Sequence, residues 1–416
     1  MPKFAHMSDL HIGAFRQPEL KELVLDAFDT AIDRCMAEEV AFVILAGDIF
    51  DSNIPDLASV RRAAEKMRQA VDSGIRFYAI YGSHDFSPNY SSIVDVLEGA
   101  GLFTKAESMT SSGGEVALSF IKDPSGAKIC GISGRKLSMD RDEYSRLDRG
   151  SLEAEPGFKI FVFHGAIEEL KPPALEQMGA MPASDLPAGF DYYAGGHVHG
   201  RLLRSLPGRQ NVAFPGPLFA TDYSELLQLA KGEKRGFYIV DYEERVSRAE
   251  FVPVSVCEVV EVYYSAHGKS SSQAAKELIG LASETNVGGK VALLTVEGEL
   301  SEGKTSDIDF AAVRRRLSAS APLIVLANYS RLTSKEQVRQ EGPPKPVHVT
   351  ERELFEREMS GAKSEEANLR GEKGVSLAVD LLRTLKEGKK ENEAKGAFEE
   401  RTYRAGFAVL GLEADG

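Results

Sequence analysis

Three cysteines are all that 416 residues contain, and Cys35, Cys130 and Cys257 stand far apart. That excludes a disulfide framework or a zinc knuckle and leaves buried thiols in a reducing compartment, so the chain is expected to be cytoplasmic. Long apolar runs are missing too. The longest, such as VAFVILAG from Val40, have the length of a strand and are too short to cross a membrane. The N-terminus lacks a basic stretch followed by an apolar core, so no secretory signal is read there. Positive charge is also scarce, the net charge being −13. The stretch from Arg331 to Gly416 carries 16 Lys and Arg against 17 Asp and Glu, which leaves −12 on the residues before it. Such a body meets a polyanion only through local basic patches or bound cations. RRAAEKMR from Arg61 and Arg314–Arg316 are the candidate patches, although runs of this kind are more often solvated helix faces.

What is present is enough apolar sequence for more than one core. In the first half apolar strands alternate with amphipathic helices. KFAHMS, VAFVIL and IRFYAIY read as strands, and Glu19–Ala37, Leu57–Val71 and Ser91–Glu98 as helices. That repetition implies right-handed crossovers and a largely parallel sheet. AKICGIS, KIFVFH, DYYAGGH, NVAFPG and GFYIVDY follow with few helices between them, and predict a second, more antiparallel sheet packed on the first. Near Pro253 the pattern resets into a small α/β unit, residues 254–330. RQEGPPKP then reads as an exposed linker within residues 331–347. Residues 348–416 carry apolar residues in islands too short to fold alone, which suits helices that pack on something else; a partly disordered tail is the alternative.

Five strands of the first half end in metal-binding side chains. HMSDLHIG offers Asp9 and His11, LAGDIFD offers Asp48, and YGSHD offers Ser83, His84 and Asp85. FVFHGAIEE offers His164, and AGGHVHG offers His197 and His199. In open α/β sheets ligands bind at the carboxyl ends of strands. Five of the eight histidines fall at such ends beside Gly or Asp, while His6 and His267 lack that context and read as structural. Two aspartates with four or five imidazoles and no thiolate form a borderline-to-hard donor set, suited to manganese, iron or zinc. They are too many for one tetrahedral ion, whereas two ions about 3.5–4 Å apart that share a carboxylate would use them all. GGEVALSF and GLEADG lack the setting of a phosphate-cradling or dinucleotide loop.

In this order, D-x-H, G-D, G-S-H-D, H and G-H-x-H, the motifs resemble the calcineurin-like metallophosphoesterases, and within them the Mre-eleven (bacterial SbcD) nucleases. The resemblance covers residues 1–253 by motif and the remainder by layout. It implies an α/β fold, a two-sheet sandwich flanked by helices, with a capping domain and a C-terminal helical arm that grips a Rad-fifty (SbcC) type coiled-coil ATPase. It also implies two Mn²⁺ per subunit and a homodimer acting on DNA ends as a 3′-to-5′ exonuclease and single-strand endonuclease in break repair. By the same resemblance Asp9, His11 and His199 hold one metal, His164 and His197 the other, and Asp48 bridges them. His84 is the acid that protonates the leaving oxygen, and Asp85 steadies its ring. Val60, Met67, Ile93, Val96 and Leu97 offer the dimer surface.

Two positions depart from the family pattern. Ser83 stands where an Asn ligand of the second metal is usual, so direct ligation gives way to weak or water-mediated contact. Pro215, Gly216 and Pro217 replace the common Pro-Gly-Ser, removing a hydroxyl and an N–H. A small-molecule phosphodiesterase and a DNA-end-binding scaffold with a weakened site are the alternative readings.

Overall fold

The computed structural model describes residues 1–86, 92–112, 114–134, 141–171, 179–335, 352, 354–356, 371–388, 390 and 395–410. Contacts divide it into two compact units, residues 1–301 with 305–332, and residues 302–304 with 333–416.

In the first unit, β1 (Lys3–Met7) leads through α1 (Pro18–Ala37) to β2 (Phe42–Ala46), and α2 (Leu57–Asp72) leads to β3 (Arg76–Ile80). Pro18 opens α1, where a missing N–H costs nothing. Asp56 caps α2 by accepting the Ser59 N–H at 2.9 Å. The three strands pair in parallel, and α3 (Ile93–Gly99) precedes the short edge strand β4 (Thr104–Lys105). β2 is apolar at every position because both its faces are covered. Phe42, Ile44 and Ala46 point between the sheets, Val43 and Leu45 toward the helices.

The second sheet contains β5 (Ile121–Lys122), β6 (Lys128–Ile132), β7 (Lys159–His164), β8 (Tyr192–Gly196), β9 (Leu202–Leu206) and β10 (Arg209–Phe214) in the order β9-β10-β8-β7-β6-β5. The expected antiparallel character holds only at its two rims. β6, β7, β8 and β10 pair in parallel, and β5 and β9 add antiparallel edges. The crossovers use irregular segments and short helices, Arg141–Ser145 and Arg149–Ala154, which carry too few turns to show a helical period. One connection was missed for the same reason: α4 (Tyr223–Ala230) has only eight residues. It returns the chain to the first sheet, where β11 (Gly236–Tyr242) pairs antiparallel with β1 and β12 (Val246–Pro253) closes the edge.

Between the sheets Phe4 stacks on Phe42 at 5.2 Å and meets Tyr192 edge-on at 5.1 Å. His6 is buried there with Nδ1 3.0 Å from the Tyr192 hydroxyl, and burial pushes its pKa down to about 3, so it is a neutral core residue. A third sheet, β13 (Val259–Ser265), β14 (Val291–Leu300) and β15 (Ile324–Asn328), buries one face under α5 (Ser271–Glu284) and α6 (Phe310–Ser318) in a core of its own. Its other face supplies Val259, Val291 and Leu293 to the core that also holds Leu226 of α4.

Two sequence expectations change here. Two of the four cations of α2 are taken up by α1: Arg62 contacts Glu22, Asp26 and Asp29, and Lys66 contacts Asp33 at 2.5 Å, whereas Arg61 pairs with Glu65 on its own helix and Arg68 donates to the Ala100 carbonyl. The run from Arg61 therefore locks two helices together. Of the five apolar residues assigned to a dimer surface, Val60, Met67 and Leu97 are buried in the chain's own core, whereas Val96 is 60% exposed. In the second unit α7 (Gly371–Leu385) packs on α8 (Lys395–Leu410). The expected linker lies outside the described residues from 336 onward.

Replacing Phe4 with Ala removes a fully buried ring from the inter-sheet core, at a cost of about 3–5 kcal/mol. A lowered denaturation midpoint for the full chain is the expected result, and an unchanged midpoint would refute this account of the core.

Candidate metal centre

Because β1, β2, β3, β7 and β8 run in parallel within their sheets, each delivers its last residues to one rim of the sandwich. The two sheets are joined there by a hydrogen bond, the His164 Nδ1–H donating to the Ala46 carbonyl at 2.8 Å. That contact also fixes the tautomer, leaving Nε2 of His164 as the atom that faces Asp48 Oδ2 at 3.2 Å.

Three groups of ligand atoms converge. Asp9, His11 and His199 form one, Asp48, His164 and His197 a second, and His11, Asp48 and His84 a third, with the atoms of each group within 4.8 Å of one another. The first two are the ligand sets drawn from the sequence, and Asp48 lies in reach of both through His11 Nε2 at 3.8 Å. A cation fits this donor set on an observation of the side chains themselves. Nδ1 and Nε2 of His11 and Nε2 of His164 are buried yet have no hydrogen-bond partner, and orphaned buried nitrogens of this kind are rare unless something else satisfies them.

The backbone is bent to make the site. Asp9, His11, Asp48 and His197 all take positive φ, between 43° and 85°. They are half of the described non-glycine residues that do so, and strain of this sort persists where function requires it. Gly82 shows how closely the chains approach: a Cβ there would lie 2.2 Å from Asp48 Oδ1.

Charge in the site is strongly coupled. Burial disfavours the His164 cation, but the Asp48 carboxylate outweighs it and the ring is raised. Burial would likewise raise Asp48, yet His164 and His11 hold it well below the usual carboxylate range. Burial and the neighbouring His164 lower His197. To hold a cation, His164 would have to be unprotonated at Nε2.

The Asp48 Oδ1 accepts the His84 N–H at 2.8 Å, and the His84 Nδ1–H donates to the Asp51 carbonyl at 2.6 Å. The ring is exposed and stands edge-on to His11, with centroids 4.8 Å apart. Asp85 does not steady it. Fully buried, Asp85 accepts the N–H groups of Ile49, Phe50 and Gly82, and so ties the turn after β3 to the turn after β2. Burial, with Asp48 nearby, pushes its carboxyl up to about 6 against those three donors. The Ser83 hydroxyl is half-buried and, among the described residues, makes no hydrogen bond.

Three residues that the sequence reading left unassigned complete the centre. Asp51 Oδ1 lies 3.2 Å from His11 Nδ1. Glu225 Oε1 lies 2.7 Å from His199 Nδ1, and Arg235 donates from Nη1 to the His199 carbonyl at 2.6 Å. Burial would raise Glu225, but His199 and Arg235 bring it down to about 2, while His199 itself is raised. Asp51 sits three residues after Asp48, a spacing that could have flagged it. A glutamate on a short helix and an arginine before a strand carry no such local signal.

A family profile described as calcineurin-like phosphoesterase matches residues 2–201, the span that contributes every one of these ligands. Residues 2–201, just under half of the chain, are thus similar to calcineurin-like phosphoesterases. The chain is 28% identical to DNA double-strand break repair protein Mre11 of Methanococcus maripaludis over 58% of this chain and 63% of that one. It is 31% identical to the Mre11 of Thermoplasma acidophilum, over 48% and 52%. It is 26% identical to the uncharacterized metallophosphoesterase YhaO of Bacillus subtilis, over 57% and 56%. The matches thus span between about half and two thirds of these relatives' lengths. The groups of side chains that could hold a metal ion all lie within the matched span, and Glu225 and Arg235 lie beyond it. No described helix is long and apolar enough to cross a membrane.

Gly82→Ala should leave a folded chain, judged by circular dichroism, that no longer retains divalent metal through dialysis. Retention equal to the parent would show that Asp48 has room to move.

Proposed function

We propose that the protein is a manganese-dependent nuclease that processes DNA ends in double-strand break repair, with 3′-to-5′ exonuclease and single-strand endonuclease action. The observation that carries this reading is the sharing of Asp48 between two sets of histidine ligands, with an exposed imidazole bonded to the same carboxylate through its backbone. The relatives named for DNA double-strand break repair support the choice of DNA over other phosphodiesters.

Each residue then has a stated task. Asp9, His11 and His199 hold one cation, His164 and His197 the other, and Asp48 reaches both. Two divalent cations held by these residues would supply positive charge for the phosphate oxygens and acidify water. The hydrogen bond from Nδ1 to the Asp51 carbonyl leaves Nε2 of His84 to carry the proton that the departing sugar oxygen needs. Ser83, shorter than the Asn of the family pattern, contributes to the second position weakly or through water. An acidic chain whose Arg62 is already paired meets DNA chiefly through these cations.

The chain acts as a homodimer, with Val96 as part of its exposed apolar surface, and docks a coiled-coil ATPase of the Rad-fifty type through residues 348–416. Support for the arm comes from its unspent apolar side chains: Leu385 is 55% and Tyr403 51% exposed although both lie on helices.

Manganese titration with hydrolysis of a nitrophenyl diester and of plasmid DNA tests the site. His84→Ala should retain both ions and lose about 10²–10⁴-fold in rate, and Asp48→Ala should lose both ions and activity. Ser83→Ala should lose far less than either; loss of an ion as complete as in Asp48→Ala would make the serine a direct ligand. Activity on the small diester with none on DNA would favour a small-molecule phosphodiesterase. A chain ending before residue 348 should keep diester hydrolysis, lose ATPase binding, and still show twice its own mass by light scattering. Loss of hydrolysis together with binding would place the segment in the catalytic core.

A further inference from the structure

His199 is held by side chains that lie outside the strand-end motifs. Its Nδ1 faces a carboxylate, Glu225, at 2.7 Å, and its own carbonyl accepts from Arg235 at 2.6 Å. Both partners are buried, and each makes further hydrogen bonds. Glu225 Oε2 accepts the N–H of Thr221 at 2.8 Å and its hydroxyl at 2.9 Å, and Arg235 Nη2 donates to Gln228 at 2.6 Å. A side chain bound on both carboxylate oxygens cannot swing, so the direction of the His199 ring is set by where α4 lies.

α4 in turn lies where the third sheet leaves it. Its first turn carries Glu225 into the site, with Asp222 capping the Glu225 N–H at 2.8 Å. The same helix packs on β13, and Leu226 shares a core with Val259 and Leu293 of the third sheet. The Tyr223 hydroxyl reaches Thr295 Oγ1 at 3.3 Å.

From this arrangement we propose that Glu225 and Arg235 are positioning residues for the metal position served by His199, and that α4 makes the affinity of that position depend on the packing of the third sheet. The proposal rests on the two-cation reading given above. It concerns one position only, since His164 is fixed instead by its hydrogen bond to the Ala46 carbonyl. Any partner that lifts the third sheet off α4 would weaken the His199 position, and loading that position would hold the sheet in place, because such coupling is reciprocal.

Equilibrium dialysis of the full chain against Mn²⁺, with electron paramagnetic resonance to report the paired ions, tests both parts. The parent should bind two ions; one or none would overturn the two-cation reading itself. Glu225→Ala should weaken one ion by about 10–100-fold and leave the other unchanged, with loss of the spin-coupled signal. Glu225→Gln keeps an acceptor oxygen at the same reach and should recover most of the affinity, which also serves if the alanine variant fails to fold. Two ions bound as in the parent by both variants would overturn the positioning role. Leu293→Ala, on the third sheet, should weaken the same ion several-fold. If it lowers the melting temperature but leaves both affinities unchanged, the link through α4 is overturned.

Discussion

The Asp48 carboxylate lies where the rims of two sheets meet, and its surroundings dictate nearly everything else at the site. Gly82 must lack a side chain to pass it, and Asp85 must be buried to hold the turn that brings Gly82 there. His164 crosses from the second sheet to face it, and the His84 N–H is bonded to it from the first. A carboxylate so enclosed is stable only with positive charge around it, because burial alone would force it to take a proton. Two imidazoles supply part of that charge, and the orphaned ring nitrogens mark where the rest belongs.

Much of this was legible in the chain itself. Strand-end motifs named side chains that converge because in a parallel sheet the carboxyl end of each strand arrives at one rim, so order along the chain translates into proximity. β1, β2, β3 and the first two helices were readable for the same reason: long amphipathic helices and doubly buried strands have clear periods. The second sheet was misjudged because its parallel connections are made by irregular segments. Asp85 was misassigned because sequence adjacency to His84 says nothing about which way a buried carboxylate turns; here backbone N–H groups claim it. Glu225 and Arg235 escaped because their meaning appears only when α4 is folded against His199.

The charge pattern of the molecule separates binding from architecture. Arg62, in a run that looks from sequence like a surface for a polyanion, is consumed between α1 and α2, where it meets three carboxylates of the neighbouring helix. Its contribution is to the packing of the first sheet's outer layer. On the function proposed above, the carboxylates at the rim would repel a phosphate until cations occupy it, so metal loading and substrate affinity would belong to one equilibrium.

The return of β11 to the side of β1 has a consequence for how the chain is made. β1 emerges first during synthesis, yet its free edge is covered only when Gly236–Tyr242 pairs with it, more than two hundred residues later. Until then the nascent protein exposes an unpaired, apolar strand edge of the kind that recruits foreign strands. Asp9 and His11, just past the end of that strand, therefore cannot reach their final geometry before β11 has left the ribosome. The matched domain ends at residue 201, but the smallest piece able to close the first sheet extends to Pro253.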